Sequence, residues 1–91
     1  MQFPRIGLFP KSAGADIAET LNHLAEFLTK RKHKLFIEQS NAALLSHLSV
    51  TALASDKIGA QCDLIIVIGG DGSLLKAARA IADNNIPIIG I

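Results

Sequence analysis

The chain has no tryptophan, no tyrosine and a single cysteine among its 91 residues. The missing aromatics carry no information about function. The lone Cys62 excludes a disulfide within the chain and fits a reducing cytosol. Net charge is scarce as well, a formal +1. A nucleic-acid-binding or membrane-coating domain would be strongly basic, so neither is expected. No apolar run approaches the roughly 20 residues that a helix needs to cross a bilayer. Pro4, Arg5 and Gly7 interrupt any apolar core of a secretory signal. Repeats, low-complexity tracts and interdomain linkers are missing too. His23, His33 and His47 are scattered, without the spacing of metal ligands.

What is present is apolar: 49% of the residues are hydrophobic, enough for one small soluble domain with a modest core. One stretch organises it. Leu64-Ile65-Ile66-Val67-Ile68 is an unbroken and mostly β-branched run, the pattern of a strand buried on both faces in a parallel sheet. Gly69, Gly70 and Gly72 then crowd around Asp71. Ser73 is a good N-cap, and Leu74 to Ala82 reads as a helix with Leu74, Leu75, Ala78, Ile81 and Ala82 on its buried face. Strand, glycine turn and helix form a corner at the carboxyl end of the sheet, where ligands of open α/β folds bind. Glycine lets a ligand approach the backbone, and the helix N-terminus attracts phosphate.

The rest follows in chain order. Arg5 to Phe9 reads as a first strand, and Pro10, Ser12 and Gly14 as a loop. Asp16 and Glu19 have the spacing of a capping box for a helix whose apolar stripe is Ile17, Leu21, Leu24, Ala25 and Leu28. That helix should stop near Lys30-Arg31-Lys32, a basic cluster that could touch a phosphate but reads more simply as a solvated end that suits the helix dipole. Lys34 to Glu38 is a second strand, parallel to the first by the βαβ rule. From Gln39 to Ser55 the signal is weakest. Ala42 to Leu48 suggests a short helix and Val50 to Ala54 another turn or two, with Leu44, Leu45 and Leu48 covering the sheet or facing a partner subunit. Asp56 to Gly59 reads as a turn, and Cys62 as a small core residue. Lys76 and Arg79 share a helix face, and Asp83 is spaced to pair with Arg79. Pro87 leads into a final strand within Ile86 to Ile91. A chain that stops on such a strand is expected to be the N-terminal part of a longer protein.

The chemistry concentrates on Asp71. The turn is not a Walker A loop, and Gly69, Gly70 and Gly72 do not fit G-x-G-x-x-G. A carboxylate weakens plain phosphate binding, so its place in an anion-friendly turn points to another task. It could accept a proton from a substrate hydroxyl or bind Mg²⁺, both parts of phosphoryl transfer. It could instead only hydrogen-bond the backbone of its own turn.

Gly69-Gly70-Asp71-Gly72-Ser73 resembles the GGDG motif shared by NAD kinases, 6-phosphofructokinases and the diacylglycerol and sphingosine kinases. The approach Asp63 to Ile68, the continuation Leu74 to Arg79 and the ending Ile86 to Ile91 resemble the NAD kinase branch. The loop Pro10-Lys11-Ser12-Ala13 lacks the second glycine-rich motif usual in phosphofructokinases. Leu74-Leu75 stands where lipid kinases tend to have Asn-Glu. Ser73 replaces the commoner Thr and keeps a hydroxyl.

That resemblance implies a three-layer, Rossmann-like parallel sheet with flanking helices, the N-terminal α/β domain of a two-domain kinase, occupying residues 1–91. A C-terminal β-rich domain would lie beyond. It implies transfer of the γ-phosphate of ATP, with Mg²⁺, to the 2′-hydroxyl of NAD in the cytoplasm, by a homo-oligomer. Asp71 would be the proton acceptor, Gly72 would sit against NAD, Gly69 and Gly70 would shape the turn near the phosphates, and Lys76 would contact the nucleotide. No residue is carried over as a metal ligand. A lipid or sugar kinase, a nucleotide-binding domain without chemistry and a purely structural domain stay open as alternatives. The 91-residue chain alone is expected to be inactive.

Overall fold

The apolar run after Asp63 forms β4 (Leu64–Ile68), and every one of its residues is buried. A strand with no polar face must have cover on both sides, and the sheet supplies it. The computed structural model describes residues 4–10, 14–45, 49–69, 71–82 and 84–91. Gly70 and Asp83 lie outside that set, as do the side chains of Asp71 and Ser73. In the five-stranded sheet, β4 lies between β1 (Arg5–Pro10) and β5 (Ile88–Gly90). Beyond β1 come β2 (Lys34–Glu38) and β3 (Val50–Leu53), giving the order β3-β2-β1-β4-β5. All four pairings are parallel, with Ile6 opposite Leu64 and Pro10 opposite Ile68 at the central seam.

Helices cover both faces. On one side α1 (Ala15–Lys30) lays Leu21, Ala25 and Leu28 over Ile6, Leu8, Leu35, Ile37, Leu64, Ile66 and Ile68. Its apolar stripe is the expected one, with Ile17 and Leu24 packed at the margin. On the other side α2 (Ser55–Gln61) and α3 (Asp71–Ala80) meet Phe9, Phe36, Ile65 and Val67 through Ile58, Ala77 and Ile81. The result is the expected three-layer α/β arrangement.

The ends of α1 differ in how they are secured. The anticipated capping box is not formed: the helix begins two residues too early for it, with Gly14 at the N-cap and no side-chain bond there. Asp16 therefore stands inside the first turn, where its charge favours the dipole without capping. At the other end the N–H of Lys32 donates to the Thr29 carbonyl at 3.0 Å and that of His33 to the Leu28 carbonyl at 3.1 Å. This is the Schellman pattern, and it puts Lys32 at φ 67°, a position glycine normally fills. The Arg31 guanidinium lies 4.5 Å from the centre of the Phe27 ring.

Three expectations need correction. Val50–Leu53 is not a helical turn but the edge strand β3, with Leu35 opposite Val50. Four residues, half exposed, are too few to show a period, and the β-branched pair Val50-Thr51 was the only cue. The segment 56–59 is not a turn but lies in α2, and Gly59 is buried where that helix meets the end of α3. A Cβ at Gly59 would come within 2.9 Å of Ile81 Cγ2 and collide with the Asn84 side chain. Lastly, α3 starts at Asp71 rather than Leu74, so Ser73 sits within the helix and is not its N-cap. Its buried face also differs from the expected one, except at Ile81. Ala77 and Ile81 become the buried contacts, Ala78 is half-buried, and Leu74, Leu75 and Ala82 are exposed.

Gln39–Leu45 is a 3-10 helix rather than a segment beginning at Ala42. Leu45 is fully buried in the first core and Leu44 packs at its edge, so this segment covers the sheet. Leu48 lies outside the described residues, as does the proposed partner of Arg79, Asp83.

Candidate functional site

Parallel strands place all their carboxyl ends on one rim. Here that rim holds Pro10 of β1, Glu38 of β2 and Ile68 of β4, followed at once by Gly69. The chain leaves β1 toward α1 on one face and leaves β4 toward α3 on the other. The seam between β1 and β4 is therefore the point where connections diverge, which opens a crevice at the strand ends. The glycine turn begins at that seam. Gly69 has φ 157°, which side chains rarely adopt, and its N–H donates to the Ile91 carbonyl at 3.3 Å.

Helix α3 begins two residues after Gly69. Asp71 and Gly72 form the first turn of α3, where backbone N–H groups lack helical partners. A Cβ built on Gly72 would meet nothing within 4 Å. Its neighbours in the fold thus do not demand glycine there, and the space in front of it is open. Lys76 lies five residues beyond Asp71, about 7–8 Å along the helix axis at 1.5 Å per residue, and is exposed. Arg79 is exposed on the last turn. Of the residues singled out in the sequence, Gly69, Asp71 and Gly72 thus stand together where β4 passes into α3, Lys76 lies more than a turn further along that helix, and Gly70 lies outside the described set.

The same rim holds a cavity of about 310 Å³. It is bounded by Phe9 and Pro10 at the end of β1, by Glu38, Ser40 and Asn41 after β2, by Ser55 of α2, and by Lys76 and Ala80 of α3. Glu38 is held in place: its Oε1 accepts from the Ser40 N–H at 3.2 Å and from the Ser40 hydroxyl. The sequence reading passed over Glu38, Ser40, Asn41 and Ser55. The usable signal was an acid closing an otherwise apolar strand on the ligand-bearing rim.

Cys62 is buried against Ile58 and Ile65 at the opposite end of the central seam. Burial pushes its thiol up to about 12, so it is inert at neutral pH. Among the described residues no group of three or more His, Cys, Asp and Glu is placed to hold a metal. No helix of the described residues is long and apolar enough to cross a membrane.

Residues 6–91 match the family model described as the ATP-NAD kinase N-terminal domain. The chain belongs to the NAD kinase family. Its similarity to curated NAD kinases runs along nearly its whole length. It is 40% identical over 90 residues to that of Hahella chejuensis, 44% over 89 residues to that of Nitrosococcus oceani and 39% over 90 residues to that of Pseudomonas putida. These alignments cover 98–99% of this chain but 30% of each relative. The chain thus spans about a third of the length of the NAD kinases it matches, and corresponds to their N-terminal domain.

Proposed function

We propose that the complete protein phosphorylates NAD. In this reading the γ-phosphate of ATP passes to the 2′-hydroxyl of the adenosine ribose of NAD, giving NADP. Asp71 accepts the hydroxyl proton as general base. Gly72 lies against NAD, Gly69 and Gly70 give the turn its shape near the phosphates, and Lys76 contacts the nucleotide. The observation that carries this reading is the glycine–acid corner itself. It stands on the carboxyl rim at the β1–β4 seam, it opens directly into α3, and Gly72 has open space in front of it.

The chemistry suits that corner. Phosphoryl transfer asks a protein for positioning and charge stabilisation rather than for covalent steps. Free N–H groups at a helix start receive phosphate oxygens, and a lone carboxylate beside them receives a proton. Mg²⁺ is usually bound by one or two carboxylates together with substrate phosphates and waters. A full protein cage is therefore not required, and we assign the metal to the ATP that carries it, where it offsets the charge of the phosphates. The rest of the substrate contacts fall to the C-terminal β-rich portion of the longer protein. The 91-residue chain alone is accordingly inactive. A cytoplasmic homo-oligomer completes the proposal.

The test uses the full-length protein with ATP and each of three acceptors: NAD, diacylglycerol and fructose 6-phosphate. NADP should form and the other two should remain unmodified. Asp71→Asn should lower turnover by about 10²–10⁴, the usual contribution of a positioned general base, while circular dichroism and melting stay close to wild type. Near-normal turnover in that variant removes Asp71 from the mechanism.

A further inference from the structure

The cavity on the carboxyl rim has two charged walls of opposite sign, Glu38 from the end of β2 and Lys76 from α3. A carboxylate only accepts hydrogen bonds and an ammonium only donates them. A simple anion would satisfy Lys76 and be repelled by Glu38. A neutral polyol would satisfy Glu38 and leave Lys76 idle. A ligand that suits both walls carries hydroxyl donors and an anionic group, which is the composition of a ribose phosphate.

Size narrows the choice. At about 310 Å³ the cavity is at the low end of small-molecule sites, roughly 300–1,000 Å³. It has room for one nucleoside-sized group and not for a dinucleotide. Its shape is also prepared in advance. Ser40 anchors one oxygen of Glu38 through its N–H and its hydroxyl, so the carboxylate is oriented before any ligand arrives. A ribose diol is a known target for an acid that follows the first βα unit of doubly wound folds. Phe9 and Pro10 add an apolar wall, and Ser55 and Asn41 add neutral polar groups.

We propose that this cavity is a ribose-phosphate subsite, with Glu38 accepting hydrogen bonds from the ribose diol and Lys76 pairing with a phosphate of the same nucleotide. The assignment rests on the kinase reading above and extends it to a residue outside the glycine corner. Two nucleotides offer this chemistry, ATP and NAD, and the experiment separates them.

Calorimetric titration of the full-length protein supplies the test, with wild type, Glu38→Ala and the isosteric Glu38→Gln. The ligands are ATP, 2′,3′-dideoxy-ATP, NAD, and NAD analogues that are dideoxy at one ribose or the other. Glu38→Ala should weaken one parent nucleotide about tenfold or more, the scale of a hydrogen bond to a charged group. It should leave the matching dideoxy analogue unchanged, and Glu38→Gln should recover part of the loss. A loss confined to the ATP pair assigns the cavity to the donor, and one confined to NAD assigns it to the acceptor. Equal weakening of a parent and its dideoxy analogue, or no weakening at all, overturns the subsite. Should Glu38→Ala fail to fold, Glu38→Gln carries the same comparison with a smaller loss. Wild-type protein that binds neither nucleotide overturns the kinase reading along with the subsite, whereas wild-type binding that ignores Glu38 overturns the subsite alone.

Discussion

Arg5 and Asp63 clasp each other through both backbone and side chain. The Arg5 N–H donates to Asp63 Oδ2 at 3.0 Å, the Asp63 N–H returns a bond to the Arg5 carbonyl at 2.8 Å, and the guanidinium reaches Oδ1 at 3.4 Å. The pair stands where β1 and β4 both begin. It therefore fixes the register of the seam whose far end carries the glycine corner.

Acid should loosen this clasp. The side-chain and backbone hydrogen bonds from Arg5 hold the Asp63 carboxyl below its ordinary value of 3.8. A depressed carboxylate stabilises the fold above its unfolded pKa, and that contribution is lost as pH falls through the folded value. Melting temperature should therefore drop below about pH 4, the unfolded range for an aspartate. Asp63→Asn should flatten that part of the profile. The pair is open to solvent, so added salt should shrink the difference between the two proteins.

Gly7 of β1 leaves no room for a side chain. A Cβ there would lie 2.7 Å from both Ile58 Cγ2 and Ile65 Cδ1. Gly7→Ala overpacks a buried seam and should cost about 1–3 kcal/mol, read as a lower midpoint in urea with an unchanged slope. An unaltered midpoint would show that α2 can move aside freely.

Lys32 invites the opposite change. It holds φ 67° in the Schellman turn that ends α1. Glycine adopts that conformation without the Cβ clash, so Lys32→Gly should stabilise the domain by about 0.5–1 kcal/mol. At this chain length that is roughly 2–8 °C in melting temperature.

Cys62 should resist thiol reagents. Its thiol is raised from 9.0 to about 12, chiefly by burial. At pH 8 the thiol is therefore held in its neutral form, whereas the thiolate is the nucleophile. Labelling in native buffer should be slow and should accelerate sharply in denaturant. The same shift works against the fold in alkali. The neutral thiol is the form that packs, so its contribution is complete below pH 9.0 and declines as pH climbs toward 12.

Sequence legibility followed the length and periodicity of each segment. β4 announced itself through an unbroken β-branched run, and α1 through sixteen residues with a single apolar stripe. Strand β3 has four residues and α2 seven, too short for either period to stand out from chance composition, and both were misread. The start of α3 was misplaced because Ser73 is a strong N-cap candidate, and the glycines just before it read as a turn when Gly72 in fact lies in the helix. The glycine corner was legible because its residue types are unusual together. Glu38 was not, because a single acid at a strand end becomes meaningful only when Lys76, distant in sequence, is brought to face the same cavity.

The placement of β4 between β1 and β5 bears on how the protein is made. Arg5 must wait for Asp63, 58 positions later, and at about 5–20 residues per second the ribosome needs roughly 3–12 s to supply it. Through that interval the nascent β1 can pair with β2 on one flank only, leaving its other flank open to chaperones or to neighbouring polypeptides.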